Sequence, residues 1–413
     1  MKVSLGDVIV KRIMADLPVQ PVIEFTCRGT PYQMGLAQGD AFADKIRESF
    51  QTVAELEAFR LKKPFGLPFG MFRQIAERKA RRFVDRAFAV SPISARERLQ
   101  GLADGARVPF RKVALCAAME AVLGDLRPIT TTNAVPKIGD TLQAGCSAMA
   151  VSKTATQTGD PILAHNFDYL PVTQPYYFIR RSQPAGKLKS VELSLAPAIG
   201  VVDGINEAGL SITCNYAFTT DKTKPAPTIT MLISEAMANC RTVEDAVEYF
   251  QTSPRVGGGL LMLGDSRGTI ASLEISSTRC VRRDPADGRD RLCHTNRFCC
   301  SATCEVELSE SAVYGQQAPA VLRGRRVHQS SDERNASFQA RMESYESFDE
   351  ISVRDVMSDH GPHGTPSSDT VCMHGNYWFT TASIQLFPAE RKLHASFSPT
   401  CVAKYHEFAV EGS

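Results

Sequence analysis

Ala144-Gly145-Cys146-Ser147-Ala148-Met149-Ala150-Val151 sets a cysteine directly after a glycine, at the head of a run of small, β-leaning residues. A second run follows at Pro161-Ile162-Leu163-Ala164-His165-Asn166-Phe167-Asp168-Tyr169. Read as adjacent strands, the two bring a thiol and a carboxylate to one end of a single sheet. That juxtaposition restricts the folds open to the chain, because a β-sheet must then start at or just after residue 146.

The flanking pattern fits. Before residue 145 the chain reads as largely helical, after an extended lead-in over 1–28. Ile46, Phe50, Val53, Leu56 and Phe59 recur at three- and four-residue steps, Pro64 to Gly70 breaks the helix, and Ser94-Ala95-Arg96-Glu97 has the form of a capping box. Residues 110–124 read as one more helix, and 125–144 as a polar, Thr-rich connection. From Cys146 onward short strands are expected at 147–153, 161–167, 189–195, 199–203 and 210–216. Helices follow near 229–239 and 243–251, the second opened by Thr242-Val243-Glu244-Asp245. Strands are expected again at 259–264, 269–275 and 279–283, helices at 333–346 and 352–358, and strands at 370–374, 382–387 and 393–397. Helices flanking mostly antiparallel strands predict an α+β layered sandwich.

Seven separated pieces carry a resemblance. They are Arg28-Gly29-Thr30-Pro31-Tyr32-Gln33-Met34-Gly35 with Gln38-Gly39; Gly145-Cys146-Ser147; His165-Asn166-Phe167-Asp168-Tyr169; Gly204-Ile205-Asn206-Glu207-Ala208-Gly209-Leu210; His294-Thr295-Asn296-Arg297-Phe298; Ser331-Asp332-Glu333-Arg334; and Asp359-His360 followed by Val371-Cys372-Met373-His374. In this order the chain resembles the acyl-CoA:6-aminopenicillanate acyltransferase family, autoproteolytic N-terminal-nucleophile (Ntn) hydrolases related to choloylglycine hydrolases. The resemblance implies an αββα four-layer sandwich with antiparallel sheets. It implies cleavage of the Gly145–Cys146 bond, Cys146 as nucleophile, Asp168 beside the new α-amino group, Asn296 in an oxyanion hole and Arg334 near the thiol. Residues 1–145 would be a helical pro-part or small subunit, and 146–413 the catalytic chain.

Elementary chemistry agrees with such a site. An α-amine with a reference pKa near ~8 and a thiol near ~8.5 exchange a proton at little cost, so no histidine base is needed. A guanidinium beside the sulfur favours thiolate. Each residue also has an ordinary reading: a buried cysteine as apolar filler, an aspartate ending a strand, an asparagine bonded to loop backbone. His165, Asn166, Tyr169 and Asn215 are candidate substrate contacts. His165 departs from the bile salt hydrolase branch, where an arginine stands three positions before the aspartate, and this favours the acyltransferase-like branch. Ser147 and Thr295 are nucleophile candidates only if Cys146 is dispensable. A Cys–His enzyme would need His165 or His294 as base.

The expected reaction is attack on a linear amide or an acyl thioester through a thioester acyl-enzyme, resolved by water or by an amine. The alternative is an unprocessed, non-catalytic binding relative. A net charge of +2 gives no reason to expect nucleic acid or an anionic membrane as partner. Residues 1–145 carry 22 Lys+Arg against 15 Asp+Glu (+7) and the remainder 25 against 30 (−5), which favours association of the two cleaved chains. No apolar run approaches the ~18 residues of a membrane span, and the opening residues lack the apolar core of a signal peptide. Twelve cysteines without a Cys-x-x-Cys pair suit a reducing, cytoplasmic setting. Cys299-Cys300-x-x-x-Cys304 matches no common zinc spacing, and His360, His363 and His374 lack a clear fourth ligand, so neither a metal nor a cofactor is expected. The partners implied are a small amide or acyl-CoA substrate, with homo-oligomerisation left open.

Overall fold

The computed structural model describes residues 19–89, 94–119, 137–138, 145–286 and 289–410. The connection 125–144, apart from 137–138, and the first eighteen residues lie outside them. The strands are β1 (Glu24–Gly29), β2 (Lys137–Ile138), β3 (Ser147–Val151), β4 (Ile162–Tyr169), β5 (Tyr177–Pro184), β6 (Ser190–Leu195), β7 (Asp203–Asn206) and β8 (Ser211–Tyr216), followed by β9 (Gly259–Gly264), β10 (Ile270–Ile275), β11 (Cys280–Arg283), β12 (Arg291–His294), β13 (Val313–Tyr314), β14 (Phe379–Phe387), β15 (Lys392–Ser396) and β16 (His406–Ala409). One sheet runs β1-β5-β6-β7-β8-β9-β10-β11 and the other β12-β3-β4-β14-β15-β16, while β13 pairs with β2. Within the two large sheets every pairing is antiparallel except β1 with β5.

The helices used below are α1 (Pro31–Ala41), α2 (Ala43–Glu55), α3 (Phe69–Ala87), α4 (Ala95–Gly105), α5 (Phe110–Ala117), α6 (Ile229–Asn239), α7 (Val243–Thr252), α8 (Gln329–Glu343) and α9 (Glu350–Met357). The two sheets close on a shared core that includes Ala148, Leu163, Ile179, Leu193, Met262 and Ile384. Outside the first sheet, α6 and α7 bury Leu232, Ile233, Val243 and Phe250 against Ile212, Leu261 and Leu273. Outside the second, α8 and α9 bury Phe338, Met342, Val353 and Val356 against Met149, Val151 and Ala164. These are the four αββα layers expected of an Ntn hydrolase.

The N-terminal helices form a further cluster around Phe59, Phe72, Leu99 and Val113, against Phe178 and Tyr176 of the sandwich. There α1 and α4 touch backbone to backbone. A Cβ on Gly35 would sit 2.0 Å from the Arg98 carbonyl oxygen, so no larger residue fits. Thr30 and Gln33 cap α1 reciprocally, and Thr242 with Asp245 does the same for α7, as its sequence predicts. The capping box expected at Ser94 does not form. Its backbone N–H and hydroxyl both go to the Glu235 carboxylate on α6, a tertiary partner that outcompetes Glu97.

Several strand assignments change. Residues 199–203 give way to β7 four residues later, and β2, β5, β12, β13 and β16 are strands where none is expected. Residues 370–374 are not a strand: Cys372 N–H bonds Asp359 O, Met373 N–H bonds the Thr380 hydroxyl and His374 N–H bonds Ser367 O. With its donors spent on scattered acceptors, that segment is a bent strap across the end of β14.

Candidate active site

Strand register alone assembles the centre. In the β12–β3 ladder His294 stands opposite Ala148, so two residues further on Asn296 comes opposite Cys146. In the β3–β4 ladder Ser147 faces Asn166, which brings Asp168 to the same sheet end as Cys146. A register irregularity between Thr380 and Ala382 in β14 occurs where Thr380 faces Asp168. Such bulges re-aim side chains next to sites.

Cys146 precedes β3, and side chains satisfy its backbone. Its N–H donates to Asn296 Oδ1 (2.9 Å), and its carbonyl accepts from Arg334 Nη1 (2.6 Å). Arg334 also donates to Ser147 Oγ (2.9 Å) and, through Nη2, to Asn296 Oδ1 (2.7 Å). The Ser-x-x-Arg spacing puts both residues on one face of the first turns of α8. Ser331 Oγ takes the Asn296 N–H (2.9 Å) and bonds the Thr295 hydroxyl (2.7 Å), so a single helix turn fixes Asn296 by backbone and side chain.

Two donors, the Cys146 N–H and Arg334 Nη2, hold the Asn296 oxygen toward Cys146, while its Nδ2 donates to the Tyr216 carbonyl (2.8 Å).

The Cys146 thiol donates weakly to the Asp168 carbonyl oxygen (3.9 Å). Burial pushes this thiol well above its usual range, Asp168 adds to the rise, and Arg334 opposes it. Burial likewise raises the Asp168 carboxyl, against Arg334 and Thr380. Thr380 Oγ1 donates to Asp168 Oδ1 (2.5 Å), whereas Oδ2 is buried without a hydrogen-bond partner among the described residues. Sequence reasoning missed Thr380 because nothing in the run Phe379-Thr380-Thr381-Ala382 sets it apart from its neighbour Thr381.

The other candidates separate. Tyr169 lines a cavity of about 210 Å³ that reaches Cys146. Its wall is made by Val53 of α2 and Leu56 just after it, Phe167, Leu195, Ile199, Tyr216 and Met231 among others, with no Asp, Glu, Lys or Arg among the described residues. Asn215 bonds the Thr295 carbonyl (2.9 Å) and so braces the segment bearing Asn296. His165 and Asn166 do not reach the cavity. His165 is fully buried with Nδ1 2.7 Å from Asp203 Oδ1 between the sheets, and Asn166 Nδ2 points outward to the carbonyls of Met357 and Val371. Alternation along β4 puts His165 on the inner face with Phe167 and Tyr169, but farther from the sheet end where those two line the cavity, and turns Asn166 to the opposite face. A His165→Ala variant should lose about 3–5 kcal/mol in urea unfolding, because Asp203 stays buried without a counter-group. A substrate contact would instead raise KM at unchanged stability.

Among the described residues no histidine bonds Cys146. His294 pairs through Nδ1 with Ser272 Oγ (3.0 Å), and burial, then Arg283 and His165, hold it well below the usual histidine range. Asn206 locks the β7–β8 hairpin to the end of α6.

A four-layer sandwich with this centre at one sheet end defines the Ntn hydrolase class. The family model for acyl-coenzyme A:6-aminopenicillanic acid acyl-transferase matches residues 154–393, more than half of the sequence. The chain belongs to that family. The matched span includes Asp168, Asn296 and Arg334 and begins after Cys146. Among solved structures the chain is similar to the Caenorhabditis elegans N-acylethanolamine-hydrolyzing acid amidase ortholog (14% identity, TM-score 0.42, covering 59% of this chain and 93% of that one). It is also similar to a mutant of conjugated bile acid hydrolase from Clostridium perfringens (11%, 0.39, 64% and 96%) and to penicillin V acylase from Agrobacterium tumefaciens (16%, 0.37, 65% and 87%). No curated protein matches. Among the described residues no helix is long and apolar enough to cross a membrane.

Proposed function

We propose that the chain cuts its own Gly145–Cys146 bond and then uses Cys146 to take an apolar acyl group from a linear amide or thioester. The observation that carries this reading is the grip on Cys146. Its N–H is held by a side-chain oxygen and its carbonyl by a buried guanidinium, as suits a nitrogen destined to become a free amine.

In the first step Sγ adds to the Gly145 carbonyl. The C–N bond breaks, the thiol proton passes to nitrogen, and water hydrolyses the resulting thioester to a Gly145 carboxylate. The new amine stays bonded to Asn296 Oδ1 and gives Asp168 Oδ2 the partner it lacks. In turnover this amine takes the thiol proton, Sγ attacks the substrate carbonyl, and the protonated amine delivers a proton to the leaving nitrogen or sulfur. Water or an amine then resolves the acyl-enzyme. The uncharged cavity wall suits an aliphatic or aromatic acyl chain and excludes a charged one. The two cleaved chains remain together because β1 lies in the eight-stranded sheet and α2–α5 share a core with Phe178 of that sheet.

Intact mass under denaturing conditions tests this. Wild type should give fragments of 145 and 268 residues, the larger beginning at Cys146, and Cys146→Ala should stay whole. A wild type that stays whole on long incubation would favour an unprocessed binding protein of the same fold.

A further inference from the structure

Behind the active site lies a second cluster that the mechanism does not use. His360, Cys372, His374 and Cys401 each offer one ligand atom, and these atoms all lie within 4.8 Å of one another. His374 Nε2 is 3.5 Å from Cys372 Sγ and 3.5 Å from Cys401 Sγ. Around a tetrahedral zinc, with Zn–S of about 2.3 Å and Zn–N of about 2.0–2.1 Å, neighbouring sulfur and nitrogen ligands stand about 3.5 Å apart. We infer that these four residues form a structural zinc site.

The chemistry of the set selects the ion. Two thiolates and two imidazoles in a tetrahedral arrangement suit zinc over the oxygen-seeking magnesium or calcium. Coordination releases the two thiol protons, and two thiolates cancel the 2+ charge, so the partly buried site is neutral. Four protein ligands leave no position for water or substrate, which makes the site structural and not catalytic.

The surroundings are built to hold the ligands. Cys372 and His374 stand on the bent strap, fixed by the Asp359 and Ser367 carbonyls, and Cys401 stands on the 3-10 turn Thr400–Val402. Asn166 ties the two arms together, since its Nδ2 donates to the Val371 carbonyl and its Oδ1 accepts from the Thr400 hydroxyl (2.5 Å). Between the two ligands of the strap, Met373 faces the active site. A Cβ on Gly145 would meet the Met373 methyl at 2.9 Å, and the Met373 N–H bonds Thr380, which holds Asp168. The zinc therefore clamps the wall behind the Gly145–Cys146 bond.

The test is metal content by plasma mass spectrometry on full-length protein purified without chelator, for wild type and Cys146→Ala alike, so that neither cleavage nor turnover enters. One zinc per chain that survives dialysis is expected. Cobalt exchange should give intense visible bands of a tetrahedral thiolate site. Cys372→Ser and Cys401→Ser should each lose the metal and those bands, while His363→Ala, on the exposed neighbouring turn, keeps both. If the cysteine variants do not fold, the wild-type metal count and cobalt spectrum still decide. Substoichiometric metal in zinc-supplemented wild type, or a Cys372–Cys401 disulfide by thiol counting, overturns the site. A stoichiometric iron overturns the choice of zinc.

Discussion

Arg334→Lys is expected to stop self-cleavage on the timescale of purification and, in any protein that is cut, to lower kcat by about 100-fold or more. The guanidinium reaches four acceptors at once: the Cys146 carbonyl, Ser147 Oγ, Asn296 Oδ1 and, through Nε, Ser330 Oγ. A lysine is a point charge on a flexible stem and cannot reproduce that fork. Bonds to charged groups are worth about 1.5–3 kcal/mol each, and some 3 kcal/mol lost from the transition state corresponds to about 100-fold in rate. Charge is conserved in the substitution, so the loss reports geometry. A mass time course gives the cleavage rate, and steady-state kinetics on the cut fraction gives kcat. Cleavage at the wild-type rate would show that Arg334 is a structural residue of α8 and nothing more.

The parts of the molecule that the sequence discloses are those governed by local rules. β3 and β4 read out because short, largely apolar runs, Ser147–Val151 and Ile162–Tyr169, stand either side of a polar turn, and the Thr242–Asp245 box shows because its partners are three residues apart. β5 is hidden because Arg180 and Arg181 stand in its middle. Arg180 is fully buried, and what permits it there is Glu192 on β6 (2.7 Å) with Ser194 and Gln38, none of them nearby in sequence. The same limit governs the sites. Cys146, Asp168, Asn296 and Arg334 come together as their motifs imply, but the orientation of the Asn296 amide depends on Arg334 and Tyr216, which spacing cannot supply. The histidine-cysteine cluster is the extreme case. His360 and His374 are visible, yet Cys401 arrives from the turn after β15, and only the fold makes it their neighbour.

Asp168→Asn is expected to act with opposite signs before and after cleavage. In the uncut Cys146→Ala background the carboxyl is buried with one oxygen unpartnered, and burial raises its pKa. A carboxyl whose folded-state pKa lies above the unfolded ~3.9 stabilises the fold fully only below that unfolded value. That contribution is lost as pH rises through the raised folded-state pKa. At pH 7 the raised carboxyl therefore costs the uncut fold stability that it does not cost in acid. The amide is isosteric, keeps an acceptor for Thr380 and does not ionise. Asp168→Asn should accordingly raise the stability of the Cys146→Ala chain by about 1–3 kcal/mol at pH 7. The gain should shrink toward zero below about pH 4, read by urea unfolding across that range. In the chain that keeps Cys146 the same change should abolish turnover, because the freed α-ammonium then meets an amide where its charge needs a carboxylate. A variant that is no more stable uncut, and that turns over normally once cut, would place the essential carboxylate elsewhere in the site.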